Sequence, residues 1–146
     1  MYDRILIPTD GGEAAKKGAQ HGIELAAEMG AEVHALYVVK LPGAPRTVYL
    51  RDDEDDMRTR YREYGEEVTA EICEMAEAAG VDCVTAMESG SIRENINAYA
   101  EDHDMDLIVI GAGYRGQFGA LLGGTAEKVV RTAPVPVTTI RLRSDD

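Results

Sequence analysis

Apolar residues along the chain fall into short continuous runs separated by longer stretches with helical spacing. Ile5-Leu6-Ile7, closed by Pro8, predicts a buried strand over residues 2–8. Small and apolar residues at 15, 18, 19, 22, 25, 26 and 29 predict a helix over 13–29, with Gly30 as its C-cap. Its inner face is rich in Ala and Gly, which lets it approach a sheet closely. The run VHALYVV (residues 33–39) is a second strand, apolar on both faces. A strand, a helix and another two-sided apolar strand predict a parallel βαβ unit.

Residues 40–51 contain Pro42, Gly43 and Pro45 and read as a loop. The acid run 52–56 reads as a solvated helix start, where negative charge suits the dipole. Met57, Tyr61, Tyr64, Val68, Ile72, Met75, Ala76 and Ala79 mark one stripe of a long helix stopped by Gly80. The more polar VDCVTAM (81–87) predicts a third strand nearer the sheet edge. Gly90-Ser91 opens a helix with Ile92, Ile96, Tyr99 and Ala100 facing inward, and DLIVI (106–110) is a fourth, fully buried strand. A Gly-rich loop (111–124), a short helix (125–133), a fifth strand (134–142) and a tail follow.

No repeat or linker interrupts this order, so residues 1–146 read as a single domain. Five strands alternating with four helices predict a three-layer α/β sandwich around a parallel sheet. Ligands of such folds sit beyond the carboxyl ends of the strands, where strand order reverses. With the first and fourth strands as central neighbours, the site falls between Pro8-Thr9-Asp10 and Gly111.

Composition narrows the function. The 45% hydrophobic content supports one core, built mostly from aliphatic residues because only 5% are aromatic. The net charge of −12 disfavours nucleic acid and anionic membrane as partners. Lysines are confined to positions 16, 17, 40 and 128, a bias that suits a high-salt cytoplasm, an ordinary acidic protein being the other reading. The N-terminus lacks the pattern of a secretory signal and no apolar stretch is long enough to span a membrane, so a cytoplasmic protein is expected. Cys73 and Cys83 form no CxxC pattern and are expected as buried, reduced thiols. His21, His34 and His103 lack ligand spacing, and His34 reads as a hydrogen-bonded core residue. Neither a Walker P-loop nor a G-x-S-x-G elbow is present, and no nucleophile is paired with a base, so no catalytic residue is assigned.

ILIPTDGG at the start, HALYVV after the first helix, and DLIVIGAGYRG…LLGGTAEKVVRTAPVPV near the end resemble the universal stress protein family over nearly the whole chain. The resemblance implies the strand order 3-2-1-4-5, an adenine-nucleotide alpha-hydrolase-like fold, and ATP or AMP as ligand, with Mg2+ as a further candidate. The ATP-binding branch carries a G-x2-G-x9-G-[ST] signature. Gly111 matches its first glycine and Gly124-Thr125 its last pair, but Tyr114 stands where the second glycine belongs, flanked by Gly113 and Gly116.

The implied ligand set is Pro8, Thr9, Asp10, Val38, Gly111, Gly113, Arg115, Gly124, Thr125 and Ala126. Asp10 would meet a ribose hydroxyl, or a metal ion held through phosphate; its plain alternative is a turn or N-cap carboxylate. Gly111 and Gly113 are phosphate-loop residues or simply a tight turn. Thr125 is a phosphate ligand or an N-cap, and Arg115 a phosphate partner or a solvated loop residue. The resemblance also implies a homodimer joined through the last strand, bounded by Val135 and Leu142, whose exposed edge invites pairing. Two functions remain open: a nucleotide-binding stress-response regulator, or a nucleotide-free homodimer acting through unidentified protein partners because Tyr114 fills the phosphate loop.

Overall fold

Nine elements alternate along the described residues: β1 (Arg4–Thr9), α1 (Glu13–Met29), β2 (Glu32–Val39), α2 (Arg51–Ala78), β3 (Cys83–Ser89), α3 (Ile92–Asp102), β4 (Leu107–Ala112), α4 (Thr125–Thr132) and β5 (Val137–Arg141). They come from a computed structural model that describes residues 1–39, 51–113 and 124–142, without the side chains of residues 51–55. The central loop expectation, the body of the Gly-rich loop with Tyr114 and Arg115, and the tail lie outside the described residues.

The strands form one parallel sheet in the order β3-β2-β1-β4-β5, as expected from the sequence. Chain direction across the sheet reverses once, between β1 and β4. The first two crossovers therefore place α1 and α2 on one face, and the last two place α3 and α4 on the other. Strand alternation divides the core accordingly. Ile5, Ile7, Val33, Ala35, Leu107 and Val109 pack under α1 and α2. Leu6, Leu36, Val38, Ile108 and Ile110 pack under α3 and α4.

Small residues set how closely α1 sits. A Cβ on Gly22 would come within 2.7 Å of Ile7 Cδ1, and one on Gly18 within 2.8 Å of the Gly111 nitrogen. Gly30 ends α1 in the left-handed conformation at φ 69°, and its N–H bonds the Ala26 carbonyl. Gly80, at φ 75°, turns α2 in the same way. The Val81 N–H then bonds back to the Ala76 carbonyl at 2.8 Å. That bond ties Val81 to the helix end, so β3 starts at Cys83 rather than at 81. It occupies a sheet edge, as its polar pattern suggested. On the far edge, Pro134 and Pro136 lack N–H donors, and β5 starts only at Val137.

His34 is buried, with Nδ1 2.7 Å from Tyr99 Oη and Nε2 2.6 Å from Glu32 Oε1, a bonded core residue as expected. Tyr99 also stacks on His103, with ring centroids 3.8 Å apart.

The cysteine expectation is corrected. Cys73 and Cys83 are joined in a disulfide rather than held as thiols. The short turn from α2 to β3 brings their Cα atoms to 5.3 Å. Ten residues of separation hid a contact that only the turn creates. Closing so short a loop stabilises the fold by about 2–3 kcal/mol in the chain-entropy account. Reductant should therefore lower the urea midpoint of the native chain and leave a Cys73→Ala/Cys83→Ala variant unmoved. A native chain indifferent to reductant would show that the bond is not formed in solution.

Candidate functional site

The site is built where β1 and β4 separate. β1 pairs with β2 over six residues, from Arg4↔Glu32 to Thr9↔Tyr37, but with β4 only at Ile5↔Leu107 and Leu6↔Ile108. Backbone direction explains the difference. The Arg4 carbonyl accepts from Asp106 N at 2.8 Å, so alternate residues of β1, namely Arg4, Leu6 and Pro8, turn their polar groups toward β4. Pro8 has no N–H to give. The ladder stops before it, and a crevice opens at the carboxyl ends of the two strands.

The turn after β1 is held by its own side chains. Thr9 Oγ1 accepts from Gly11 N at 3.0 Å, and Asp10 Oδ1 accepts from Gly12 N at 2.8 Å. The N-cap of α1 is Gly12, so Asp10 is a turn carboxylate and not the cap. Its Oδ2 has no partner among the described residues. The other support comes from α2. Tyr64 donates its hydroxyl to the Asp10 carbonyl at 3.0 Å. Gly11 has φ 84°, and a Cβ there would overlap that hydroxyl. Tyr64 meets Tyr37 edge to face at 5.6 Å. Burial first, then Tyr64, Tyr61 and Asp10, raise the Tyr37 hydroxyl above its ordinary pKa.

Gly111 belongs to β4, and a Cβ there would overlap the Ala14 carbonyl of α1. Its glycine is thus required by the packing of α1 on the opposite face, a role the sequence analysis did not assign. Gly113 has open space where a Cβ would stand.

Opposite the turn lies the start of α4. Its N-cap is Gly124, with no side-chain cap, and the first intrahelical bond is Lys128 N to the Gly124 carbonyl at 3.2 Å. Thr125 is the first helical residue and does not cap, which corrects that expectation. A glycine cap leaves the first-turn N–H groups beside the crevice without a side-chain acceptor among the described residues, at the positive end of the helix dipole.

Together these parts enclose a cavity of about 580 Å³. Leu36, Val38, Ile92, Ile96, Ile110 and Val130 form its apolar wall; the Asp10 turn, Gly113 and Gly124-Thr125-Ala126 form its polar end. Nine of the ten residues singled out from sequence line this one cavity: Pro8, Thr9, Asp10, Val38, Gly111, Gly113, Gly124, Thr125 and Ala126. The tenth, Arg115, lies outside the described residues. The sequence analysis missed Glu127 and Arg141, both on the lining. Glu127 Oε1 is paired with Arg131 at 2.8 Å, and its Oε2 is buried without a partner among the described residues. Strand parity could have found Arg141, because positions 137, 139 and 141 of β5 share a face. Among the described residues, no group of three or more His, Cys, Asp or Glu is arranged to hold a metal ion. No described helix is long and apolar enough to cross a membrane.

Comparison with known proteins decides the family. The model of the universal stress protein family matches residues 1–141. The chain belongs to this family. A universal stress protein of Methanocaldococcus jannaschii is 35% identical over 145 residues, covering 97% of this chain and 83% of its relative. The solved structure of a universal stress protein from Lactobacillus plantarum superposes with TM-score 0.82 at 26% identity, over 96% of this chain and 98% of that one. An Arabidopsis thaliana member solved with AMP bound has TM-score 0.72 at 18% identity, over 98% and 94% of the two chains, and shows the shared fold. The five-stranded adenine-nucleotide alpha-hydrolase-like architecture is thus that of these universal stress proteins.

The Tyr64 hydrogen bond makes the Asp10 turn depend on α2. Tyr64→Phe should lower stability by about 1 kcal/mol in urea unfolding and speed amide exchange at Gly11 and Gly12. Unchanged exchange at both glycines would show that the turn holds itself.

Proposed function

We propose that this universal stress protein binds an adenine nucleotide, ATP or AMP, in the cavity between β1 and β4, and acts as a cytoplasmic stress-response regulator. One observation carries the reading: in a cavity of about 580 Å³, an apolar wall of Leu36, Val38, Ile92, Ile96, Ile110 and Val130 faces the glycine-capped N-terminus of α4 across the Asp10 turn. The base would lie against Val38, Ile92 and Ile96, and the phosphates at Gly113 and Gly124-Thr125-Ala126. Asp10 Oδ2, exposed and without a donor among the described residues, would accept a ribose hydroxyl. Asp10, Glu13 and Glu127 put three carboxylates on the lining, a donor set suited to Mg2+ only as an ion arriving with the phosphates. The AMP held by the Arabidopsis relative supports the ligand class. The reading is of a binding protein, with no catalytic residue assigned.

The chain should be purified without added nucleotide, its released small molecules identified, and ATP, AMP and cAMP titrated by calorimetry in high salt. ATP or AMP should bind, and Asp10→Asn should weaken binding about tenfold through one lost charge-assisted hydrogen bond. A chain that arrives empty and ignores all three ligands would favour the second reading, a nucleotide-free protein in which Tyr114 obstructs the phosphate loop.

The same proposal includes a homodimer through β5. The Pro136 carbonyl and the Leu142 N–H both bond β4, so residues 137, 139 and 141 direct their backbone polar groups to the open edge. Thr139→Pro removes one edge donor without touching the β4 ladder, and should convert a dimer to a monomer in sedimentation velocity. A dimer that persists would place the interface elsewhere.

A further inference from the structure

We propose that Arg141 is the residue that reads phosphate charge, selecting phosphorylated adenine ligands over uncharged adenosine. The inference rests on the nucleotide reading above and names its charge selector. Arg141 ends β5 directly beside Ala112 of β4, one residue before Gly113. The Leu142 N–H bonds the Ala112 carbonyl at 2.9 Å, so the backbone on both sides of the arginine is fixed. Val137 packs on the α3–α4 face and Ile140 on the opposite one. Alternation therefore turns Thr139 and Arg141 toward the cavity, which both line.

Charge makes the position matter. Among the described residues of the lining, Arg141 is the only cation, against the carboxylates of Asp10, Glu13 and Glu127. Glu127 has its own counter-ion in Arg131. Arg141 makes no ion pair or hydrogen bond among the described residues. The whole chain carries a net charge of −12, so an entering phosphate meets a repulsive field. The α4 N-terminus offers N–H groups and a partial charge of roughly half a unit. A guanidinium adds a full charge and a planar pair of donors matched to phosphate oxygens. Adenosine has nothing for it to meet.

The test is calorimetric titration of adenosine, AMP and ATP into the native chain, Arg141→Gln and Arg141→Lys, with thermal unfolding of each apo protein to verify the fold. Arg141→Gln should weaken AMP and ATP about tenfold or more while leaving adenosine unchanged. Arg141→Lys should recover part of the loss, as a point charge without the fork. A native chain that binds AMP or ATP while Arg141→Gln weakens all three ligands equally, or none, overturns the role of Arg141 alone. A native chain that binds no adenine ligand overturns the nucleotide reading and this inference together.

Discussion

One missing hydrogen-bond donor determines where this molecule can have a site. Pro8 stands in β1 at a position whose backbone would otherwise face β4, and the β1–β4 ladder ends at Leu6↔Ile108. Pairing with β2 continues unbroken to Thr9↔Tyr37. β1 is thus anchored on one side and released on the other, at the point where the strand order reverses. Every wall of the cavity follows. The Asp10 turn lies at its mouth, α4 enters from the far side, and the α3–α4 face of the sheet supplies the apolar floor.

A second constraint keeps that crevice in shape. Gly18, Gly22 and Gly111 let α1 lie against β1 and β4 closely enough that a Cβ at any of the three would collide with a neighbour. The residues that shape the site from the opposite face are therefore as particular as those that line it. α2 adds Tyr64, whose hydroxyl holds the Asp10 carbonyl, and the Cys73–Cys83 bond fastens the far end of that helix to β3.

Much of this was legible in the sequence because period and punctuation agreed. DLIVI is apolar on both faces and could only be an inner strand, and the Ala- and Gly-rich stripe of 13–29 could only be a helix meant for close approach. The crevice between Pro8-Thr9-Asp10 and Gly111 was found because strand ends in this topology converge, whereas Val38 and Gly124 to Ala126 came from the resemblance to the family. What escaped depended on contacts between distant segments. No spacing rule joins Cys73 to Cys83 when an intervening turn must form first. The cap of α4 falls at Gly124 rather than Thr125, a shift of one residue that sequence period does not resolve. Gly111 looked like a ligand-loop glycine, yet its missing side chain answers to Ala14. Arg141 was not singled out: parity puts it on one face with 137 and 139, but its register with Ala112 is what sets it beside the cavity.

The account's central claim is that an adenine nucleotide occupies the crevice opened at Pro8. An NMR titration of the isotope-labelled chain with ATP tests it most directly. Amide shifts should concentrate at Thr9 to Gly12, Gly113 and Gly124 to Ala126, with methyl shifts at Val38, Ile92 and Ile96. The amides of Gly30, Gly80 and the Cys73–Cys83 turn should stay still. Shifts spread evenly over the acidic surface, or none at saturating ATP, would contradict the claim.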